Sequence, residues 1–317
     1  MKLLITRPLP EPVMAAAKAQ FDVTARESTL PLSRDEMIAA LRDYDLVLPT
    51  LGDLFSADIF AAVPNPRAKM LGNFGVGFNH IDVAAASAAG IVVTNTPGAV
   101  TDATADIALM LMLMAARRAS EGERLVRDQA WQGWHPIQML GQPVTGRHVG
   151  IVGMGRIGKA IAKRCHFGFG MQVSFFNRSP VADPGVPGQQ VSSLSELAGQ
   201  VDFLVTAVPG GAETRHIINA EVLAAMKSTG ILVNIARGDV VEEGALIAAL
   251  QTGQIAAAGL DVYEREPIVP EALRALENAV LLPHLGTAVL EVRSAMGMIA
   301  VENLVAFAAG KEPPNRV

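Results

Sequence analysis

Short apolar runs alternate with amphipathic stretches along almost the whole chain. In the first third, residues 2–6, 46–48, 69–71 and 91–94 read as strands. Between them, residues 11–20, 33–41 and 83–89 carry helical spacing. Ser33 followed by Glu36 has the spacing of a capping box, in which hydroxyl and carboxylate each satisfy a backbone N–H at the helix start. Beyond Thr96-Pro97-Gly98 a long helix is expected over residues 101–119. Its segment IALMLMLMAA, residues 107–116, is the most apolar stretch of the chain. It is too short to span a bilayer and fits a buried core helix. Residues 121–146 show no period, read as irregular and carry both tryptophans, Trp131 and Trp134.

A second alternating series starts at His148. Strands are expected at residues 149–152, 172–176, 202–207, 230–235, 257–261 and 280–282. Helices are expected at 220–226 and 243–251, with a terminal helix over about 289–309. Such alternation implies α/β layers with largely parallel sheets. If the terminal helix folds back, the first domain is discontinuous, 1–98 plus 289–317, and 99–288 form the second. The crossings then lie near 96–98 and 285–287.

Only the second series contains a glycine-rich turn between strand and helix: HVGIVGMGRIG, residues 148–158. Gly153 permits a tight turn, Gly155 lets backbone approach a pyrophosphate, and Gly158 lets helix pack on strand. Phosphates would sit at the helix N-terminus, where free N–H groups and the macrodipole favour anions. This assigns a Rossmann dinucleotide domain to residues 99–288 and a substrate domain to the rest. After the next strand, QVSFF, a site for NAD would carry an acid for the ribose 2′-hydroxyl. Asn177, Arg178 and Ser179 stand there instead. A guanidinium with no acid beside it suits a 2′-phosphate. NADP(H) is therefore the expected cofactor, held by Arg178 with Asn177 or Ser179, and NAD(H) is the other candidate.

Composition narrows the partners. The chain has 317 residues, half of them apolar, and a net charge of −5. An acidic chain of this kind is not expected to bind nucleic acid, which calls for a basic surface. The single cysteine, Cys165, suits a reducing, cytoplasmic setting and reads as a buried thiol in the helix after the glycine turn. No signal peptide is recognised in the first residues and no membrane span is expected.

Ligands of open α/β sheets bind beyond the carboxyl ends of the strands. Arg237 follows GILVNIA, Glu266 follows GLDVY, and His284 follows VLLP. These three should face the same crevice as the glycine turn. Arg237 would hold a substrate carboxylate and polarise the neighbouring carbonyl. His284 would donate a proton to the carbonyl oxygen, and Glu266 would hydrogen-bond the imidazole and favour its protonated form. Taken singly, His284 is compatible with a loop histidine, Arg237 with a surface cation and Glu266 with a solvated acid. No metal-ligand set is assigned.

At these residues the chain resembles the D-isomer-specific 2-hydroxyacid dehydrogenases. The resemblance spans GVGFNHID, GMGRIG, NIARGDVV, AAAGLDVYEREP and LLPHLGTA, in that order. It implies two doubly wound parallel-sheet domains, a Rossmann cofactor domain and a flavodoxin-like substrate domain, with a cleft between them and a homodimer. It also implies a catalytic trio at Arg237, Glu266 and His284. Gly75, Val76 and Gly77 would offer backbone N–H groups to the substrate carboxylate, with Leu51 nearby. Thr104, Arg156, Ile157, Pro209, Thr214, Ala236, Asp261 and Gly286 match positions around the dinucleotide, Asp261 facing the nicotinamide carboxamide. Within the family the chain looks most like the glyoxylate/hydroxypyruvate reductases. WQGWHPIQMLG matches a stretch in which a tryptophan, here Trp134, reaches the partner subunit's site; the alternative is an interface packing aromatic. Asn79 stands where many members have Asp, and Pro209-Gly210-Gly211 replaces a common Pro-Leu-Thr.

The resemblance implies NAD(P)H-dependent reduction of a small 2-oxo acid, glyoxylate or hydroxypyruvate, to the 2-hydroxy acid. Another specificity within the family is one alternative. Phosphoglycerate oxidation usually comes with additional regulatory sequence, and formate oxidation does not call for a proton-donating His–Glu pair in the same way. A dinucleotide-sensing binding protein is the alternative from a different class.

Overall fold

The computed structural model describes residues 1–317. The chain divides into two units, Met1–Val100 with Ala288–Val317, and Thr101–Thr287.

In the first unit, β1 (Lys2–Ile5), β2 (Asp22–Ala25), β3 (Leu46–Leu48), β4 (Met70–Gly72) and β5 (Val92–Thr94) form a parallel sheet. Their order, β2-β1-β3-β4-β5, is that of flavodoxin-like folds. Helices α1 (Glu11–Gln20), α2 (Arg34–Asp43), α3 (Ala57–Ala61) and α4 (Val83–Ala88) connect the strands. Successive strand side chains point to opposite faces. Leu3, Ile5, Leu46 and Leu48 therefore pack with Val13 and Ala17 of α1 and with Ala300 and Leu304 of the C-terminal helix Leu290–Ala308. Leu4, Val47 and Leu71 pack on the other face with Met37, Leu41 and Ile59. Both faces are covered, which is why these strands are continuous apolar runs rather than alternating ones. Burying each such side chain contributes about 1.5–3 kcal/mol. The capping box forms at α2: Glu36 N–H donates to Ser33 Oγ at 3.3 Å, and Ser33 N–H to Glu36 Oε2 at 2.7 Å.

In the second unit the sheet strands are β6 (His148–Val152), β7 (Gln172–Phe176), β8 (Gln189–Gln190), β9 (Phe203–Thr206), β10 (Ile231–Asn234), β11 (Ala257–Leu260) and β12 (Ala279–Leu281). All pair in parallel, in the order β8-β7-β6-β9-β10-β11-β12, the doubly wound Rossmann order with one added strand. The helices are α5 (Thr101–Ala116), α6 (Ala119–Arg127), α7 (Arg156–Lys163), α8 (Leu194–Gln200), α9 (Ala220–Ala225), α10 (Glu243–Gln251) and α11 (Glu271–Arg274). One face of the sheet, with Ile151, Phe175, Val205 and Val233, packs with Leu111, Met112 and Ile161. The other, with Val152, Leu204, Leu232 and Leu260, packs with Leu197, Leu223 and Leu250. No helix is long and apolar enough to cross a membrane.

Three expectations need correction. The helix expected over 101–119 ends at Ala116, because Arg118 takes the left-handed conformation, φ 52°. The stretch read as irregular from residue 121 instead contains most of α6, ASEGERLVR, in which no residue is buried. Cys165 is buried, but in a π-helical turn, Arg164–Gly168, rather than in the α-helix itself. Burial pushes its thiol up to about 12, which leaves it an inert packing group.

Candidate active site

Phe176, Val152, Thr206, Asn234, Leu260 and Leu281 form one continuous row across the second sheet. The candidate polar groups leave the sheet just beyond this row. Asn177 follows Phe176, Gly153 follows Val152, Arg237 follows Asn234, Asp261 follows Leu260 and His284 follows Leu281. Parallel pairing in register is what brings residues so far apart in sequence to one edge.

The glycine turn has the shape a dinucleotide needs. Gly153 sits at φ 98°, and a Cβ there would stand 2.7 Å from Val208. A Cβ on Gly158 would collide with the Gly153 carbonyl, so this glycine lets α7 close on β6. A Cβ on Gly155 would meet no atom within 4 Å. Protein packing therefore does not require glycine at 155. Arg156 opens α7 beside Gly155, and Ile157 is half-buried behind it. Asn177 braces the turn, its Oδ1 accepting from Met154 N–H at 3.2 Å and its Nδ2 donating to the Ser179 carbonyl at 2.9 Å. Arg178 is exposed and paired with Glu213 rather than solvated alone. Glu213 adjoins Thr214, whose hydroxyl donates to the Pro209 carbonyl at 2.7 Å.

Arg237 is held in place by the turn that precedes it. Asn234 is buried; its Nδ2 donates to the Arg237 carbonyl at 2.9 Å, and its Oδ1 accepts from Ala236 N–H at 3.0 Å and Thr206 Oγ1 at 2.6 Å. The Arg237 guanidinium donates to the Ala236 carbonyl at 2.6 Å. Burial pulls its pKa down, against the opposing charges of Glu266 and Asp239. Gly238 next to it is obligatory, since a Cβ there would fall on the Tyr263 carbonyl.

Glu266 and His284 meet. Glu266 Oε2 lies 2.8 Å from His284 Nδ1, and its Oε1 accepts from Tyr263 N–H at 3.1 Å. Burial pushes the Glu266 carboxyl up. The His284 hydrogen bond and charge, the Tyr263 amide and Arg237 outweigh it and hold the carboxyl below its ordinary range. His284 itself takes a left-handed backbone, φ 54°, which costs a non-glycine residue roughly 1–3 kcal/mol. Asp261 offsets that strain. Its carbonyl accepts from His284 N–H at 3.0 Å, and its carboxylate from Leu285 N–H at 2.6 Å and Gly286 N–H at 2.8 Å. Thr104 closes the loop by donating its hydroxyl to the Gly286 carbonyl at 3.1 Å. Burial raises the Asp261 pKa against these two amide hydrogen bonds. Both Asp261 oxygens are thus engaged with the histidine loop, a bracing contact that the motif alone did not reveal.

The first unit has its own candidate loop after β4. Buried Asn73 donates to the carbonyls of Gly75 and Gly77 at 3.2 and 3.1 Å, and Asn95 donates to that of Val76 at 2.9 Å. The carbonyls are thereby turned into the protein. The Gly75 amide, expected to face a substrate, donates to the Asn73 carbonyl at 3.1 Å. Val76 and Gly77 remain as the candidate donors. Leu51 and Val76 are each partly exposed. Under Leu51, buried Asp53 accepts from Thr6 Oγ1 at 2.6 Å and from the amides of Leu32 and Thr50 at 2.9 Å each.

Residues 109–286 match the family model described as D-isomer specific 2-hydroxyacid dehydrogenase, NAD binding domain. The chain belongs to this family. It is 43% identical to a glyoxylate reductase of Thermococcus onnurineus, over all of this chain and 95% of that protein. A Korarchaeum cryptofilum glyoxylate reductase is 42% identical with the same coverage. Among solved structures, a Sinorhizobium meliloti NADPH-dependent glyoxylate/hydroxypyruvate reductase, in complex with NADP and malonate, superposes with a TM-score of 0.88 at 36% identity. The match covers all of this dehydrogenase and 96% of that chain. The second unit of the dehydrogenase is accordingly an NAD(P)-binding domain.

Proposed function

We propose that this dehydrogenase reduces a compact 2-oxo acid, glyoxylate or hydroxypyruvate, to the 2-hydroxy acid, with NADPH as the preferred cofactor. The observation that carries this reading is the Glu266–His284 pair, set beyond the same strand row as Arg237 and the glycine turn. Relatives named glyoxylate reductase support the substrate class, and the Sinorhizobium structure supports the cofactor.

Gly153, Gly155, Arg156, Ile157 and Gly158 would cradle the pyrophosphate. Thr104, Pro209, Thr214, Ala236, Asp261 and Gly286 would line the remainder of the dinucleotide. Asn177, Arg178 and Ser179 would take the ribose phosphate. When bound, the cofactor supplies a hydride to the substrate's carbonyl carbon. Arg237 presents its guanidinium to the substrate carboxylate and the adjacent carbonyl oxygen. Glu266 accepts a hydrogen bond from His284 Nδ1, so Nε2 is the nitrogen that delivers a proton to that oxygen. Positioned proton transfer of this kind is worth about 10²–10⁴-fold in rate. In the first unit, Leu51, Val76 and Gly77 are assigned to the substrate.

Trp131, Trp134, Ile137 and Leu140 are 52%, 78%, 76% and 66% exposed. So much apolar surface from one short segment is characteristic of a protein interface. We assign it to a homodimer, with Trp134 limiting substrate size in the partner. The buried lone thiol fits a reducing, cytoplasmic setting.

The test is initial-rate NADPH and NADH oxidation with glyoxylate, hydroxypyruvate and pyruvate. Turnover with the first two, and higher kcat/KM for NADPH, is expected. Dinucleotide binding with no turnover on any of the three would overturn the proposal.

A further inference from the structure

A second carboxylate–imidazole pair lies beside the first. Glu264, two residues before Glu266, has its Oε1 2.8 Å from His216 Nε2, and Arg215 adds a guanidinium nitrogen at 3.9 Å. The pair is separated by 48 residues in sequence and is mostly buried, at 32% and 24% side-chain exposure. His216 occupies the left-handed region, φ 52°, which a side chain of this size enters only when its surroundings hold it there.

Those surroundings join three loops. The His216 amide donates to the Asp239 carbonyl at 2.7 Å, two residues past Arg237. Ile218 N–H then donates to the Val240 carbonyl at 3.1 Å, and Glu242 N–H to the Ile218 carbonyl at 2.9 Å. Upstream in the same loop, Thr214 and Pro209 belong to the candidate dinucleotide wall. On the other side, Gly238 lies directly against the Tyr263 carbonyl, and the Glu264 amide donates to Glu243 Oε2 at 3.4 Å. The dinucleotide loop is therefore tied by backbone to the Arg237 turn. It is tied to the Glu266 turn by side chain, through His216.

We infer that His216 is a positioning residue: through Glu264 it fixes the turn that aims Glu266 at His284. This rests on the catalytic reading of Glu266 and His284 given above. The second oxygen of Glu266 accepts from the Tyr263 amide of the same turn, so the aim of the carboxylate depends on where that turn sits. If Glu264 is released, the turn relaxes and Glu266 loses its aim. Misplacement of a catalytic group by about an ångström can cost on the order of 10²-fold in rate. Dinucleotide affinity, set by the glycine turn and the strand ends, should be unaffected.

Two variants separate positioning from folding. Asn tolerates the left-handed backbone but is too short to reach Glu264, so His216→Asn removes the tie with little backbone strain. His216→Gln keeps a side-chain N–H long enough to reach it. His216→Asn should lower kcat with glyoxylate roughly ten- to a hundredfold, with NADPH Kd by calorimetry and Tm close to wild type. His216→Gln should recover most of the loss. In a Glu266→Gln background, His216→Asn should have almost no further effect on kcat, because both act through one group. Wild-type kcat in His216→Asn would overturn the inference. So would an undiminished additional loss in the Glu266→Gln background, or a fall in Tm that His216→Gln fails to rescue. Wild-type turnover in Glu266→Gln alone would remove the catalytic reading itself, and the inference with it.

Discussion

Glu266 Oε2 stands 2.8 Å from His284 Nδ1, a contact between two adjacent strand ends that dictates which imidazole nitrogen faces outward. A carboxylate only accepts, so Nδ1 carries a hydrogen and Nε2 is left for the substrate. His284→Ala should therefore lower kcat by about 10²–10⁴-fold while NADPH Kd stays near normal. Stopped-flow turnover alongside calorimetric binding checks both. A comparable loss in the two quantities would point to a collapsed loop instead, because His284 also sits in a strained backbone position.

The same pair predicts a pH dependence of stability. Glu266 ionises more readily in the folded chain than its ordinary value of 4.5, because the His284, Tyr263 and Arg237 interactions outweigh burial. A lowered folded pKa contributes stability above the unfolded value and loses it as pH falls through the folded one. Denaturant unfolding of wild type and Glu266→Gln, from neutral pH to about pH 3, should show wild type more stable near neutrality and the two converging at the acid end. A gap that is constant with pH would exclude ionisation of Glu266 as its source.

Arg237 offers a test of geometry against charge. Its turn is rigidly held by Asn234, and its fork is preset by the hydrogen bond to the Ala236 carbonyl. Lysine keeps the charge but presents a point donor instead of a planar fork. Arg237→Lys should raise KM for glyoxylate roughly ten- to a hundredfold, with a smaller effect on NADPH Kd. An unchanged KM would mean that the carboxylate is held elsewhere.

What could be read in the chain, and what could not, follows from the physics of each element. Leu46–Leu48 and Gln172–Phe176 are buried on both faces, so their apolar runs were legible to the residue. Asp22–Ala25 and Gln189–Gln190 are polar edge strands, visible only once a neighbour pairs with them. Helix α6 buries nothing in the chain, and its short polar-rich sequence, ASEGERLVR, lacks the apolar run that marks the core helices. The strand-end rule anticipated that Arg237, Glu266 and His284 leave the sheet at one edge, because parallel register converts separate motifs into one edge. It could not reveal the His216–Glu264 tie, where two unremarkable polar residues meet through folding alone. Nor could it show that the Gly75 amide is already committed to the Asn73 carbonyl.

The glycine turn should separate folding from binding at two neighbouring positions. Gly158→Ala places a methyl on the Gly153 carbonyl and should cost roughly 1–3 kcal/mol of stability. Gly155→Ala meets no protein atom, so Tm should hold. Its methyl would occupy the space proposed for the pyrophosphate, and NADPH Kd should rise about tenfold or more, at least 1.4 kcal/mol. Differential scanning calorimetry and equilibrium binding on the same preparations give both answers. Unaltered NADPH affinity in Gly155→Ala would place the dinucleotide somewhere other than this turn.

On the proposed reading, cofactor choice would turn on a competition at the end of β7. Arg178, proposed for the 2′-phosphate, is paired with Glu213 across the loop that carries Thr214. Both side chains are about four-fifths exposed, so the pair is weak and easily exchanged for a phosphate. Glu213 nonetheless competes for the same guanidinium and repels a dianion placed beside it. Glu213→Gln should therefore tighten NADPH binding about two- to fivefold and leave NADH nearly unchanged. Arg178→Ala should weaken NADPH selectively, and the double variant should resemble Arg178→Ala, because Glu213 acts on the phosphate chiefly through Arg178. Fluorescence titrations with both dinucleotides measure this directly. Equal responses of NADPH and NADH to Arg178→Ala would detach this arginine from the 2′-position, and the proposed NADP preference would lose its structural basis.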